Sequence, residues 1–146
     1  MAITGERSID VDAPRDEVLA VLLDVEAYPD WQPDVKEAEV LKTDAEGRPA
    51  ESELVQDAQV KKIRVRVRYE HDGENGFSWS LVKGDVKALD GSYRLEDAGS
   101  GTRVTYSLVT DPGRTLSLLL RGPVVDRVRD HIMDGTLNAL KKHVES

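Results

Sequence analysis

The chain lacks several features that mark particular classes of protein. Its 146 residues include no cysteine, which excludes disulfides, thiol nucleophiles and thiolate metal sites. No stretch approaches the roughly 18 apolar residues that a membrane-spanning helix needs, and the N-terminus lacks the apolar core of a signal peptide. We therefore expect a soluble, cytoplasmic protein without a membrane span.

Positive charge is also scarce. Lysine and arginine contribute 20 residues against 28 aspartates and glutamates, which gives a net charge of −8. Nucleic-acid binding gains most of its affinity from clustered cations that release counterions from phosphates. The composition therefore argues against a nucleic-acid partner, and equally against an anionic membrane surface.

Periodicity predicts the order of the helices and strands. Alternation over residues 3–12 indicates a strand, Pro14 suits the start of a helix, and residues 25–31 suit a second short helical piece. Glycine and proline turn signals then separate six strands, and a Gly-Pro pair at 122–123 divides a helical last third. Without a repeat or linker, we expect a single domain over 1–146. The six strands lie near 35–43, 50–59, 62–71, 76–83, 86–96 and 102–110.

The segment KKIRVRVRYEH at 61–71 alternates strictly, which places apolar and basic side chains on opposite faces. We expect Val65, Val67 and Tyr69 to face the last helix, and the arginines between them to face water. A hairpin whose partner numbers sum to about 121 pairs these arginines with Glu53 and Asp57. The basic row is either a nucleic-acid stripe or a solvated face neutralised by its neighbour, and the acidic composition favours the second.

The last helix is apolar over an unusually wide arc, roughly 200° of its circumference, where a surface helix needs about half as much. One explanation is a helix gripped by a curved sheet and touched along two flanks. The alternatives are a deeply buried helix or a dimer interface. Arg129 lies inside the arc and must be paired, reach solvent or face a wet cavity.

The order β-α-α-β6-α, with the segments IDVDAPRDEVLAVLLDVEAYPDWQPDV at 9–35 and FSWSLVKGDVKALDGSYRLEDAGSGTRVTY at 77–106, resembles the START-like (SRPBCC) superfamily. The resemblance is to its small bacterial polyketide cyclase/dehydrase and coenzyme-Q-binding-protein group. It implies an α+β helix-grip fold, as in START and Bet v 1 proteins. In that fold a seven-stranded antiparallel sheet curves around a long C-terminal helix and leaves a hydrophobic cavity between them.

The resemblance also implies positions for a ligand site. The Tyr-Pro-x-Trp segment would bring Trp31 to the cavity mouth as a rim or lid, although Tyr28 and Trp31 equally suit a plug at the end of the sheet. Alternation sends several polar or aromatic residues inward, and a few such groups in an aliphatic lining orient a ligand. The predicted ligand-binding residues are Trp31, Ser52, Gln56, Val65, Val67, Tyr69, Trp79, Tyr93, Leu116, Leu119, Val128, Arg129 and Ile132.

Two classes of function remain open, with a stress- or toxin-type partner protein that uses its outer surface as a third possibility. The first is a binding or transport protein for a lipid, polyprenyl quinone or polyketide-like molecule. The alternative is an aromatase/cyclase or dehydrase in which Arg129, Tyr69 or Tyr93 donates a proton or stabilises an enolate. The histidines lack metal-ligand spacing and no phosphate-binding loop is present, so we predict no metal and no cofactor, and the catalytic residues stay unknown. We expect a small hydrophobic ligand as partner and a monomer or weak homodimer.

Four leucines lie between Gly113 and the Gly-Pro break, too many for an ordinary surface loop. We predict that Leu116, Leu118, Leu119 and Leu120 form a short mobile segment packed with Tyr28 and Trp31 across the cavity mouth. The alternatives are that they begin the core-facing helix or meet a second subunit.

Overall fold

The computed structural model describes residues 2–146 and is centred on a seven-stranded antiparallel sheet. The strand order is β1-β7-β6-β5-β4-β3-β2, so six consecutive strands form a meander and β1 adds to its far edge. Because β1 and β2 lie at opposite edges, the chain between them must cross the sheet. The strands are β1 (Ile3–Val11), β2 (Val35–Thr43), β3 (Pro49–Asp57), β4 (Lys62–His71), β5 (Gly76–Gly84), β6 (Ala88–Ala98) and β7 (Gly101–Asp111).

Within residues 2–146, four α-helices and two 3-10 helices accompany the sheet, which confirms the predicted helix-grip order. The last helix begins at Pro123 and follows Gly122, whose φ of 61° is left-handed and suits glycine. None of these helices combines the length and apolar content required to cross a bilayer. They are α1 (Arg15–Leu23), α2 (Tyr28–Trp31), α3 (Gly113–Ser117) and α4 (Pro123–Glu145), with 3-10 helices at Val25–Ala27 and Gly73–Asn75.

The two halves of α4 are held differently. In the C-terminal half, Met133, Leu137 and Leu140 are at most 3% exposed and belong to a core cluster that includes α1 and the β5–β7 part of the sheet. Gly5 on β1 permits this close packing, since a Cβ there would collide with the Met133 side chain. The N-terminal half, residues 123–132, has no fully buried residue. The apolar arc of α4 is therefore packed in a core along its C-terminal half and is held more loosely along its N-terminal half.

A second core cluster lies under the segment that crosses the sheet. Val25 and Tyr28 pack there on apolar residues of β2, β3 and β4. Val65 belongs to this cluster at 2% exposure, and the expectation that it faces the last helix is therefore wrong. The physical reason is the strand order: the connection from β1 to β2 covers this end of the sheet before α4 reaches it.

The alternation of buried and exposed residues in β4 follows the prediction, but the register of its pairing with β3 differs from the predicted one. Val65 and Val67 are 2% exposed, while Arg64 and Arg68 face solvent. Partner numbers in the β3–β4 hairpin sum to 119 rather than 121, because the Asp57 carboxylate accepts a hydrogen bond from the Gln59 N–H (2.9 Å) and starts the turn earlier. A shift of two residues keeps every side chain on its predicted face.

Two of the three arginines of β4 are paired with acidic residues, although not with the partners that the predicted register gave. Glu53 lies within 3.0 Å of the Arg64 guanidinium and 3.4 Å of that of Arg66. Arg64 and Arg66 are thus neutralised by the neighbouring strand, and Arg68 is exposed to solvent, which supports the solvated-face alternative over a nucleic-acid stripe.

Candidate functional site

A cavity of about 140 Å³ lies between the inner face of the sheet and the N-terminal half of α4. The helix contributes Val125, Val128, Arg129 and Ile132, which share one side of α4 at i, i+3, i+4 and i+7 spacing. Residues from β3 to β7 form the opposite wall, and α3 with the turn after it closes one end. The loosely packed half of α4 is therefore the roof of the cavity.

Five aromatic residues on neighbouring strands form what we call the aromatic wall: Tyr69, Phe77, Trp79, Tyr93 and Tyr106. Strand register places Tyr69 opposite Trp79, and Tyr93 opposite both Phe77 and Tyr106. The Tyr93 ring centroid lies 5.0 Å from that of Tyr106, 5.1 Å from that of Trp79 and 5.6 Å from that of Phe77, within the usual range for interacting rings. The wall is a continuous aromatic surface inside the cavity.

A glycine makes room for this wall. Gly91 on β6 lies directly opposite Trp79 on β5, and a Cβ at position 91 would collide with the indole ring. The indole therefore lies over the glycine backbone, a recognised way in which an aromatic side chain covers a strand glycine.

The hydroxyls of the aromatic wall differ from that of Tyr28. Tyr28 donates a hydrogen bond to the carbonyl oxygen of Leu22 and is fixed in the core. The hydroxyls of Tyr93 and Tyr106 bond to no other residue within 2–146, although these residues are only 5% and 6% exposed. Both residues line the cavity, so two hydrogen-bond donors there remain available to a ligand.

Burial sets the protonation of these hydroxyls. It raises the pKa of Tyr106 to about 12 and that of Tyr93 well above its usual value, with a smaller contribution from neighbouring tyrosines at Tyr93. Burial also raises the pKa of Tyr69 to about 12, against the opposing effect of the Ser52 hydroxyl, whose Oγ makes no hydrogen bond of normal geometry. The wall therefore presents neutral hydroxyls throughout the physiological pH range.

We expect the folded protein to form almost no tyrosinate at pH 10 to 11. All four tyrosines have pKa values raised by burial from 10.0, including Tyr28. Because unfolded tyrosines ionise near pH 10, the neutral hydroxyls contribute stability fully below pH 10 and lose it between pH 10 and about 12. Ultraviolet absorbance during alkaline titration, with circular dichroism to monitor folding, checks this. Tyrosinate absorbance appearing near pH 10 in folded protein would show that the hydroxyls are solvated.

A polar corner of the cavity is formed by Gln32 and Asp34, which are 5% and 8% exposed. The backbone carbonyl of Asp34 accepts a hydrogen bond from the Asp57 N–H (2.7 Å), which fixes the loop to the end of β3. Asp34 Oδ1 accepts a hydrogen bond from Gln59 Nε2 (2.9 Å) and lies 3.6 Å from His131 Nε2. Asp34 Oδ2 and Gln32 Nε2 are buried with no hydrogen-bond partner among the described residues.

Arg129 lines the cavity, but its charge is already paired. Its guanidinium lies 3.3 Å from an Asp126 carboxylate oxygen and 3.2 Å from one of Asp130. Of the three possibilities that the sequence left open, pairing is the one observed. Within residues 2–146, no cluster of three or more histidine, aspartate or glutamate side chains is placed to hold a metal ion.

The structure brings most of the predicted ligand-binding residues together around one cavity. That these residues bind a ligand stays a prediction. The predicted residues on the cavity wall are Gln56, Val67, Tyr69, Trp79, Tyr93, Leu116, Val128, Arg129 and Ile132.

Three other predicted residues lie away from the wall. Ser52 is fully buried on the same face of the sheet as its cross-strand partner Val67, but it does not line the cavity. Val65 packs in the second core cluster, as described above. Leu119 is 48% exposed, because its position at the end of the short α3 segment turns it toward solvent.

Trp31 also lies away from the cavity wall, so the structure does not support a lid role. Its ring stacks on that of His143 (centroids 5.6 Å apart, 10° between planes) and meets Tyr28 edge-on at 5.6 Å. Trp31 packs against both core clusters, and neither cluster contains a residue from the leucine segment. The aromatic pair therefore fills the space between α2, α4 and the sheet, as the plug alternative proposed.

The leucine segment, residues 116–120, is divided between the cavity and the solvent. Leu116 and Leu120 are 5% and 6% exposed and line the cavity, whereas Leu118 is 57% exposed and Leu119 also faces solvent. The leucines belong to neither of the core clusters against which Trp31 packs, but Leu116 and Leu120 line the same cavity as Tyr28 and help to close it.

Sequence reasoning missed several wall residues, above all Phe77, Tyr106, Gln32 and Asp34. Tyr106 had a usable signal, because it shares the inward parity of Val104 within the strand predicted at 102–110. Gln32 and Asp34 had none, since their positions depend on contacts between the α2–β2 loop and the distant β3–β4 turn.

Comparison with known proteins agrees with this geometry. A family model described as polyketide cyclase/dehydrase and lipid transport matches residues 11–135. No curated protein matches the chain in sequence. Among solved structures, a START superfamily protein from Mycobacterium smegmatis has a TM-score of 0.86 at 22% identity, covering 97% of each chain.

Two further solved structures share the fold at similar identity. The Zhui aromatase/cyclase from Streptomyces sp. R1128 has a TM-score of 0.79 at 20% identity, covering 99% of this chain and 94% of that one. A STAR-related lipid transfer protein from Xanthomonas axonopodis has a TM-score of 0.70 at 23% identity, covering 98% and 86%. Identities this low show the fold alone. The family model, in contrast, matches most of the chain, which therefore belongs to the polyketide cyclase/dehydrase and lipid transport family.

Proposed function

We propose that the protein binds one small hydrophobic molecule, a lipid, polyprenyl quinone or polyketide-like compound, in the cavity beneath α4. The observation that carries this proposal is the aromatic wall, in which the hydroxyls of the buried residues Tyr93 and Tyr106 have no protein partner within residues 2–146. An apolar lining with a few well-placed polar groups is the usual composition of a small-molecule site. The aromatic rings supply contact area, and the hydroxyls orient an oxygen atom of the ligand.

The volume of the cavity limits what it holds without rearrangement. At about 140 Å³ it is close to an engineered cavity of about 150 Å³ that accommodates benzene. A longer ligand therefore requires the roof to move. The N-terminal half of α4 is the element suited to this, because it has no fully buried residue and follows a segment with two exposed leucines, Leu118 and Leu119.

Catalysis on a polyketide-type substrate is the second candidate, and the family and its aromatase/cyclase relative support it. Neutral tyrosine hydroxyls can hydrogen-bond a ketone or enolate oxygen. Their raised pKa values, however, make Tyr69 and Tyr93 weak proton donors near neutral pH, and Arg129 is engaged by two aspartates. These features favour binding over proton transfer.

A fluorescence titration with the neutral apolar probe N-phenyl-1-naphthylamine tests the proposal. We expect saturable one-to-one binding that changes tryptophan emission through Trp79, which lines the cavity. The change should disappear in Trp79→Phe and persist in the matched variant Trp31→Phe, because Trp31 lies outside the wall. Loss of the response in Trp31→Phe alone would place the probe at α2, and absence of saturable binding would refute the proposed function.

A further inference from the structure

Two unsatisfied polar atoms in the cavity indicate which ligands it accepts. Gln32 Nε2 is a donor and Asp34 Oδ2 is an acceptor, and both are buried without a partner among the described residues. Buried polar atoms are nearly always hydrogen-bonded, so a pair of exceptions in one cavity requires an explanation. The two residues are only two positions apart and both line the cavity.

The surrounding structure holds this corner in place. Gln32 directly follows α2 and donates its backbone N–H to the Tyr28 carbonyl (2.7 Å), and its own carbonyl accepts the Val35 N–H (3.2 Å). The Asp34 carbonyl is bonded to the Asp57 N–H. The backbone on both sides of the polar corner is therefore fixed by hydrogen bonds, and the open atoms are not the result of a loose loop.

The β3–β4 turn provides a hydrogen bond to one carboxylate oxygen of Asp34, Oδ1, and none to the other, Oδ2. Gln59 is the one non-glycine residue with positive φ (71°) within residues 2–146, and its side chain donates to Asp34 Oδ1. A strained residue whose side chain is held against a cavity group is typical of a functional site. The turn thus orients the Asp34 side chain while Oδ2 stays open.

The charges around Asp34 disfavour an anionic ligand. Asp57 also lines the cavity, and the nearby cationic side chain of Arg129 is engaged by Asp126 and Asp130. His131 lies 3.6 Å from Asp34 Oδ1, but its side chain is 56% exposed to solvent. A ligand carboxylate at this corner would face two acidic residues without a free cation to offset the repulsion.

From these contacts we infer that the polar corner binds a hydroxyl group, so the ligand is a neutral, hydroxyl-bearing apolar molecule rather than a free fatty acid. This inference rests on the proposed function and adds the class of ligand to it. A hydroxyl accepts a hydrogen bond from Gln32 Nε2 and donates one to Asp34 Oδ2. A carboxylate has no proton to donate to Asp34, and an alkylammonium has no lone pair for Gln32.

Calorimetric titration at pH 8 with octan-1-ol, octanoate and octylamine tests this directly, since the three differ only in the polar group. The wild-type protein should bind the alcohol at least about tenfold more tightly than the acid or the amine. Asp34→Asn should reduce the preference for alcohol over acid to less than about threefold. Asp30→Asn is the matched control: it removes the same charge from an exposed position four residues earlier and should keep the preference.

Each other outcome contradicts a specific statement. Equal binding of all three compounds, or a preference that survives Asp34→Asn, would overturn the inference and leave the proposed function standing. Tightest binding of octylamine would assign the corner to a cation instead. If N-phenyl-1-naphthylamine also fails to bind, the proposed function itself is wrong. Equal binding of the three compounds by the wild-type protein, or its tightest binding of octylamine, contradicts the inference even if Asp34→Asn does not fold.

Discussion

Val128→Trp is expected to abolish binding of N-phenyl-1-naphthylamine while the protein stays folded. Val128 lies on the cavity side of α4, in the half of the helix that has no fully buried residue. The larger side chain can therefore enter the cavity instead of forcing apart a close-packed core. We expect the dissociation constant measured by calorimetry to rise at least about 100-fold, equivalent to about 3 kcal/mol.

Arg127→Trp provides the control for this substitution. It places the same side chain one position earlier on α4, where Arg127 is exposed. The control should bind the probe as the wild-type protein does. If Val128→Trp unfolds the protein, or folds and binds the probe normally, the space beneath α4 is not a ligand cavity.

Gly76→Ala is expected to destabilise the protein strongly. Gly76 begins β5 with φ of 123°, and a Cβ there would collide with the backbone carbonyl oxygen of Tyr93 on the neighbouring strand. Neither strand can move without separating Phe77 from Tyr93 in the aromatic wall. We expect the free energy of unfolding to fall by about 3 kcal/mol or more, measured by urea denaturation.

Gly73→Ala separates the two causes of that loss. Gly73 also has positive φ (52°), but no atom lies within 4 Å of the position its Cβ would take. It should cost only the backbone strain, about 1 kcal/mol. Equal losses in the two variants would mean that neither the close approach of β5 to β6 nor the glycine-only backbone angles of Gly76 (φ 123°, ψ −155°) add to the cost.

The strands were predictable because their pattern is local. Alternation placed all seven within a few residues of their observed bounds, and it separated the buried valines of β4 from the solvent-facing arginines as expected. The register of the β3–β4 hairpin was not predictable. Its turn is started by a hydrogen bond between the Asp57 side chain and the Gln59 N–H, and the hydrophobic pattern does not indicate this bond. The periodicity of a strand fixes which face a residue occupies, but it does not fix the residue opposite.

The cavity was predictable in outline for a different reason. The wide apolar arc of α4 indicated contact on two flanks, and the structure divides that arc along the helix, with core around Met133 and cavity around Val128. The positions of Trp31 and of the polar corner depend on how the β1–β2 connection crosses the sheet. Such contacts join segments distant in sequence, and no local pattern of residues encodes them.

Intermolecular nuclear Overhauser effects between isotope-labelled protein and unlabelled N-phenyl-1-naphthylamine test the central claim most directly. The claim is that one apolar molecule binds between the aromatic wall and the roof of the cavity. It predicts effects from probe protons to Tyr93, Tyr106 and Val128, which line that space. Effects confined to the exposed Leu118 and Leu119, or to Trp31, would place the probe elsewhere and contradict the claim.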